Sequence, residues 1–91
     1  MNYGFFLGGM NMITTDVQNI VADLLAVDLD EVTLDARLIG DLNADSLDAV
    51  ELAMSLEEHF EITVEDDEIE RMNTVNDIVN TITKHRPDLE V

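Results

Sequence analysis

Ninety-one residues give room for one domain built on one small core. Only Arg37, Arg71, Lys84 and Arg86 are fixed cations, and the formal charge of −17 excludes electrostatic binding of nucleic acid or of an anionic membrane; it calls for basic partners. An apolar share of 46% is too high for a disordered chain, and the lack of cysteine excludes disulfides, thiolate catalysis and thiolate metal sites, a usage compatible with the cytosol.

The first twelve residues, MNYGFFLGGMNM, carry an apolar patch from Tyr3 to Leu7 but no basic region and no cleavage pattern, and they are too short to span a bilayer. Residues 1–12 therefore read as a flexible extension, and residues 13–91 as the folded domain. From Ile13 the helical period is plain. Ile13, Val17, Ile20, Val21, Leu24 and Val27 recur at three- and four-residue steps, and Thr14, Thr15 and Asp16 offer capping oxygens.

DLDEVTLDARLIGDLNA follows, too long for a simple turn, and reads as a loop pinned by Leu29, Val32, Leu34, Leu38 and Leu42. Ser46 to Phe60 is the second predicted helix. After a short extended piece, Asp66 to Arg71 forms a brief acidic helix. Thr74 to His85 is the last, with Val75, Ile78, Val79 and Ile82 as its apolar stripe and Pro87 beyond its end. No stretch alternates long enough to form a sheet, so the expected fold is all-α, a small four-helix bundle with a long first loop and a short third helix.

The second helix carries more than a core requires. At about 100° per residue, Ala49, Leu52, Ala53, Leu56 and Phe60 share one arc, the expected buried stripe. Leu47, Val50 and Met54 share a different arc bordered by Glu51, Glu57 and Glu58, which reads as an outward docking face. Ser46, at the head of this helix, is either its N-cap or a chemical handle standing just inside a cap made by Asp45, with Asp48 in capping-box relation.

Nucleophilic catalysis through Ser46 would need a base. His59 lies thirteen residues along the same helix, about 20 Å away, and His85 sits near the C-terminus, where a solvated or helix-capping role is expected. No catalytic residue is therefore assigned. Asp41-Leu42-Asn43-Ala44-Asp45 matches the opening of a calcium loop, but Ser46 stands where that loop needs glycine and Leu52 where it needs glutamate, so no metal ligand is assigned.

DLNADSLDAVELAMSLEEHFEITV resembles the acyl carrier proteins, above all the discrete carriers of type II fatty acid synthesis, and the likeness runs from Ile13 to about His85. Its centre is Asp45-Ser46-Leu47-Asp48, followed by Val50-Glu51-Leu52, Leu56-Glu57-Glu58 and Phe60. The resemblance implies phosphopantetheine bound to Ser46 as a phosphodiester, with Asp45, Leu47 and Asp48 shaping the attachment turn, and acyl groups carried on the arm's thiol. It favours Ser46 as the handle rather than the cap. It further implies a monomeric cytoplasmic carrier, not an enzyme, serviced by a phosphopantetheinyl transferase and by fatty acid synthesis enzymes with basic patches. These would dock on Leu47, Val50, Glu51, Met54, Glu57 and Glu58.

An acyl chain is expected to fold back between the second and last helices, where Ala49 and Ala53 are small and Leu56, Ile69, Met72 and Ile82 complete the lining. Carriers of polyketide, lipid A or D-alanyl transfer pathways are the alternatives within the family; outside it stands an acidic divalent-cation-binding protein. Three departures mark this chain. Asn43 stands where the family usually has glycine, and asparagine tolerates a left-handed backbone. Val64-Glu65 lacks a common proline, and His59 replaces a commonly acidic residue.

Overall fold

The computed structural model describes residues 12–91. The expectations for Tyr3 to Leu7 and for residues 1–11 of the extension lie outside the described residues. Among the described residues four α-helices follow in order: α1 (Ile13–Leu25), α2 (Ser46–Phe60), α3 (Asp66–Glu70) and α4 (Val75–His85), with a 3-10 turn at Leu29–Glu31 in the long first connection. The β-bridges among the described residues are two isolated ones, Met12–Glu90 and Arg37–Thr74.

The apolar periods become one core. Ile13, Val17 and Val21 of α1 meet Leu52, Leu56 and Phe60 of α2 and Val75, Ile78, Val79 and Ile82 of α4, while α3 packs on α2. Arg71 caps α3 instead of extending it, and Thr74 caps α4 through a reciprocal box with Asp77. Burying a Leu- or Val-sized side chain contributes about 1.5–3 kcal/mol, so this shared interior holds the bundle against the repulsion of its surface.

The start of α1 differs from expectation. Thr14, Thr15 and Asp16 do not cap it; the cap residue is Met12, with no side-chain bond. The orphan N–H groups of Ile13 and Thr14 instead donate to the carbonyls of Glu90 and Val91, at 2.8 and 2.9 Å. Arg86 anchors the tail that delivers them. Its guanidinium donates to the Phe60 carbonyl and to both carboxylate oxygens of Asp88, and the latter bonds hold Asp88 below its ordinary pKa. Deleting residues 88–91 should therefore act like loss of a helix cap, about 1–2 kcal/mol, and lower Tm by about 5–10 °C in a thermal melt. An unchanged Tm would show the tail to be ornamental.

Two loop anchors also depart from expectation. Val32, Leu38 and Leu42 are buried, but Leu29 and Leu34 are 51% and 40% exposed. Leu29 opens the 3-10 turn on the surface. Leu34 sits where the loop pairs with the head of α4: the Leu34 and Ala36 carbonyls accept from Asn76 and Val75, and Leu38 N–H donates to the Asn73 carbonyl. That pairing carries Ala36 and Leu38 inward and leaves Leu34 at its rim. Gln18 ties the same loop to α1 by donating to the Val32 carbonyl at 2.9 Å.

His85 is neither solvated nor a simple cap. Its Nε2 lies 2.9 and 3.0 Å from the two carboxylate oxygens of Glu68, the buried charged residue of α3, at 9% exposure. Glu68 also accepts from the Glu65 N–H, and that bond, ahead of the His85 and Lys84 contributions and against desolvation, holds its carboxyl below the ordinary range. A depressed carboxylate stabilises the fold above its unfolded pKa, and the gain is lost as pH falls through the folded value. The neighbouring acids lack such an interior partner: Asp66, Asp67 and Glu70 are exposed, and Arg71 approaches Asp67 only to 3.8 Å. Raising sodium chloride from about 0.01 to 0.1 M, which shortens the Debye length from about 30 to 10 Å, should raise Tm by several degrees. A Tm that falls or stays fixed would mean that these acids are internally compensated.

Candidate functional site

The approach to α2 is built by hydrogen bonds. Asp41 and Leu42 N–H donate to the Arg37 carbonyl, Arg37 N–H donates to the Asp41 carboxylate at 2.8 Å, and Ala44 N–H returns to the Leu38 carbonyl at 2.9 Å. Asn43 turns the chain with φ 62°, the left-handed conformation for which asparagine is suited. Leu42 and Ala44 on either side of it are buried, so the turn is held from within.

Asp45 is the N-cap of α2. Its carboxylate accepts the Asp48 N–H at 2.9 Å, and the Asp48 carboxylate accepts the Asp45 N–H at 3.1 Å, closing the box. Ser46 is thus the first residue of the helix rather than its cap, and it is exposed. Both carboxylates sit at the positive end of the helix dipole, where anionic groups are stabilised by about 0.3–1 kcal/mol.

Of the two histidines weighed as bases for Ser46, His59 lies 3.3 Å from Asp16 and His85 is held by Glu68. Asp41 and Asp45, which open the calcium-like run, spend carboxylate oxygens on backbone N–H groups. Among the described residues no group of three His, Cys, Asp or Glu is placed to hold a metal ion, and no helix is long and apolar enough to cross a membrane.

Leu47, Val50 and Met54 stand 66%, 46% and 58% exposed on one side of α2, with Glu51 and Glu58 exposed beside them. Glu57 is different. It is half-buried, and its carboxylate accepts the Val64 N–H at 2.8 Å, so it fixes the turn after α2 as well as bordering the face. Sequence reasoning missed that role because the bond joins residues beyond the helix. It also passed over Ile39, which stands 64% exposed on the loop leading to Ser46.

The six candidate acyl-lining residues are all interior or half-interior. Ala53, Leu56, Met72 and Ile82 are buried, and Ala49 and Ile69 are half-buried. Met72 borders a cavity of about 120 Å³ with Arg37, Ile39, Gly40 and Asn73. A larger groove, about 670 Å³, lies elsewhere, between α1 and α2.

With an exposed serine on the first helical turn and a capped, hydrogen-bonded approach, the site can accept a long flexible substituent without rearranging the described residues. Residues 15–82 match the family of the phosphopantetheine attachment site. The chain is 46% identical over 74 residues to an acyl carrier protein of Clostridium acetobutylicum, covering 81% of this chain and 96% of the relative. It is 50% identical over 74 residues to one of Akkermansia muciniphila, covering 81% and 92%. A solved acyl carrier protein from Enterococcus faecalis superposes with a TM-score of 0.69 at 29% identity, covering 80% of this chain and 92% of that one.

Proposed function

The chain belongs to the acyl carrier protein family, and from that premise we propose that Ser46 is where its phosphopantetheine arm is attached and that the carrier serves fatty acid synthesis. One observation carries the assignment of Ser46: the Asp45–Asp48 box does the capping, which leaves the serine hydroxyl exposed and unspent at the head of α2. The arm supplies, when attached, the thiol that a chain without cysteine lacks.

The chain's own residues do the rest. The Ser46 oxygen would hold the arm as a phosphodiester, its bond to the phosphorus of coenzyme A replacing the pyrophosphate P–O bond as adenosine 3′,5′-bisphosphate leaves, and since His59 and His85 are committed to Asp16 and Glu68, the transferase would supply the base that takes the hydroxyl proton. The N-terminal amides of α2 would lie near that phosphodiester, at the end of a helix that stabilises anions. Asp45 and Asp48 hold the turn. Leu47, Val50 and Met54 then offer a small apolar contact, and the surrounding acids steer basic enzymes toward it; modest buried area lets each partner leave.

Glu51 is the cleaner probe of that face, because Glu57 also holds the Val64 N–H. Glu51→Lys should slow loading and acyl transfer several-fold, chiefly through association, and weaken their salt dependence, with Tm nearly unchanged. Kinetics that ignore the reversal across several partners would place the docking face elsewhere.

The pathway is tested by loading the holo chain in parallel with enzymes of fatty acid elongation, polyketide extension, lipid A acylation and D-alanyl transfer. Turnover by the first set at rates matching their own carriers supports the proposal. Preference for another set reassigns the pathway and leaves Ser46 in place.

A further inference from the structure

The groove between α1 and α2 has no part in the attachment site. It is lined by Ile20, Asp23, Leu24, Ser55, Glu58 and His59, with a volume of about 670 Å³. Ile20 and Leu24 form its floor, half-buried and packed on the core. Asp23 and Glu58 stand exposed at its rim. His59 makes a fixed wall: its ring is 3.3 Å from Asp16 and stands edge-on to Phe60, with centroids 4.7 Å apart.

Glu58 joins this groove to the outer face of α2. Eleven residues beyond Leu47, it lies only about 20° from Leu47 around the helix, so the apolar face and the groove share one acidic edge. We propose, resting on the carrier reading, that the groove is the second half of the docking surface. It takes an apolar side chain of a basic partner enzyme between Ile20 and Leu24, with flanking Lys or Arg of that enzyme set against Asp23 and Glu58.

The charge of the surroundings selects this occupant. A second copy would bring two rims of carboxylates together on chains of charge −17. The segment MNYGFFLGGMN has apolar side chains but no cationic one to answer Asp23 and Glu58. A partner that already approaches the α2 face by its basic rim meets both needs at once, and the added pocket gives a shallow interface one buried anchor.

Asp23→Lys tests this on the full chain, with Asp30→Lys as a charge-matched control on the 3-10 turn. Lysine in the last turn of α1 suits the helix dipole, so the variant should fold, and circular dichroism checks that it does. With the phosphopantetheinyl transferase and a fatty acid acyltransferase as probes, Asp23→Lys should raise KM for the carrier by about 3- to 10-fold with kcat little changed, and Asp30→Lys by less than about 2-fold. In the wild type, amide signals of Ile20, Leu24 and Ser55 should shift on adding either enzyme.

Equal effects of the two reversals would reduce the result to bulk charge and overturn the proposal. Signals that move in the free chain on deleting residues 1–11 would assign the groove to that segment. Signals that move with protein concentration would assign it to a second copy. Either outcome overturns the proposal. Absence of turnover with wild type would instead sink the carrier reading and the groove with it, whereas normal turnover with wild type and an unchanged KM for Asp23→Lys sinks the groove alone.

Discussion

Leu56→Ala should lower the unfolding free energy by about 2–5 kcal/mol, the cost of deleting a fully buried leucine and leaving a cavity. Leu56 is 0% exposed, in the shared core on the α2 stripe that meets α1 and α3, so no single neighbour can collapse into the space. A domain of this size is stable by only about 5–15 kcal/mol. At low salt, with the charge of −17 unscreened, the variant should be partly unfolded at room temperature. Chemical denaturation followed by circular dichroism checks this, and a loss below about 1 kcal/mol would mean that the interior around Leu56 is looser than its burial implies.

Ser46→Ala should do the opposite. The cap of α2 is made by Asp45 and Asp48, and alanine is a good helix former at a first-turn position, so Tm should move by no more than a degree or two. Acyl transfer should nevertheless vanish, because the hydroxyl proposed to hold the arm is gone. Asp45→Ala supplies the contrast: loss of the cap should cost about 0.5–2 kcal/mol and leave the hydroxyl present, so loading slows without disappearing. If Ser46→Ala proved as unstable as Asp45→Ala, the serine would be the cap after all, and the division of roles at this turn would be wrong.

Local rules make α2 legible in the sequence. The capping box spans four residues, the buried stripe follows the helical period, and Asn43 announces its left-handed turn, so the bounds Ser46 and Phe60 and the outward set Leu47, Val50 and Met54 follow from near neighbours in sequence. What escaped depends on partners far along the chain. The carbonyls of Glu90 and Val91 cap α1, Glu68 finds His85, and the segment from Leu34 to Leu38 pairs with the head of α4. Periodicity cannot announce such meetings, because each needs the bundle to have formed first. Glu57 shows the same limit in one side chain: its place on the α2 surface was readable, but its bond to the Val64 N–H exists only once the chain has turned beyond Phe60. The proposed acyl lining is the least legible of all, since the residues named for it are buried or half-buried members of the interior and their burial marks them as packing alone.

The most direct measurement is the intact mass of the purified chain after incubation with a phosphopantetheinyl transferase and coenzyme A, followed by mass mapping of its peptides. The account predicts a gain of one phosphopantetheine, carried by the peptide containing Ser46 and absent from Ser46→Ala. A wild-type chain left unmodified while a known carrier in the same tube is loaded, or a modification that persists in Ser46→Ala, would contradict it.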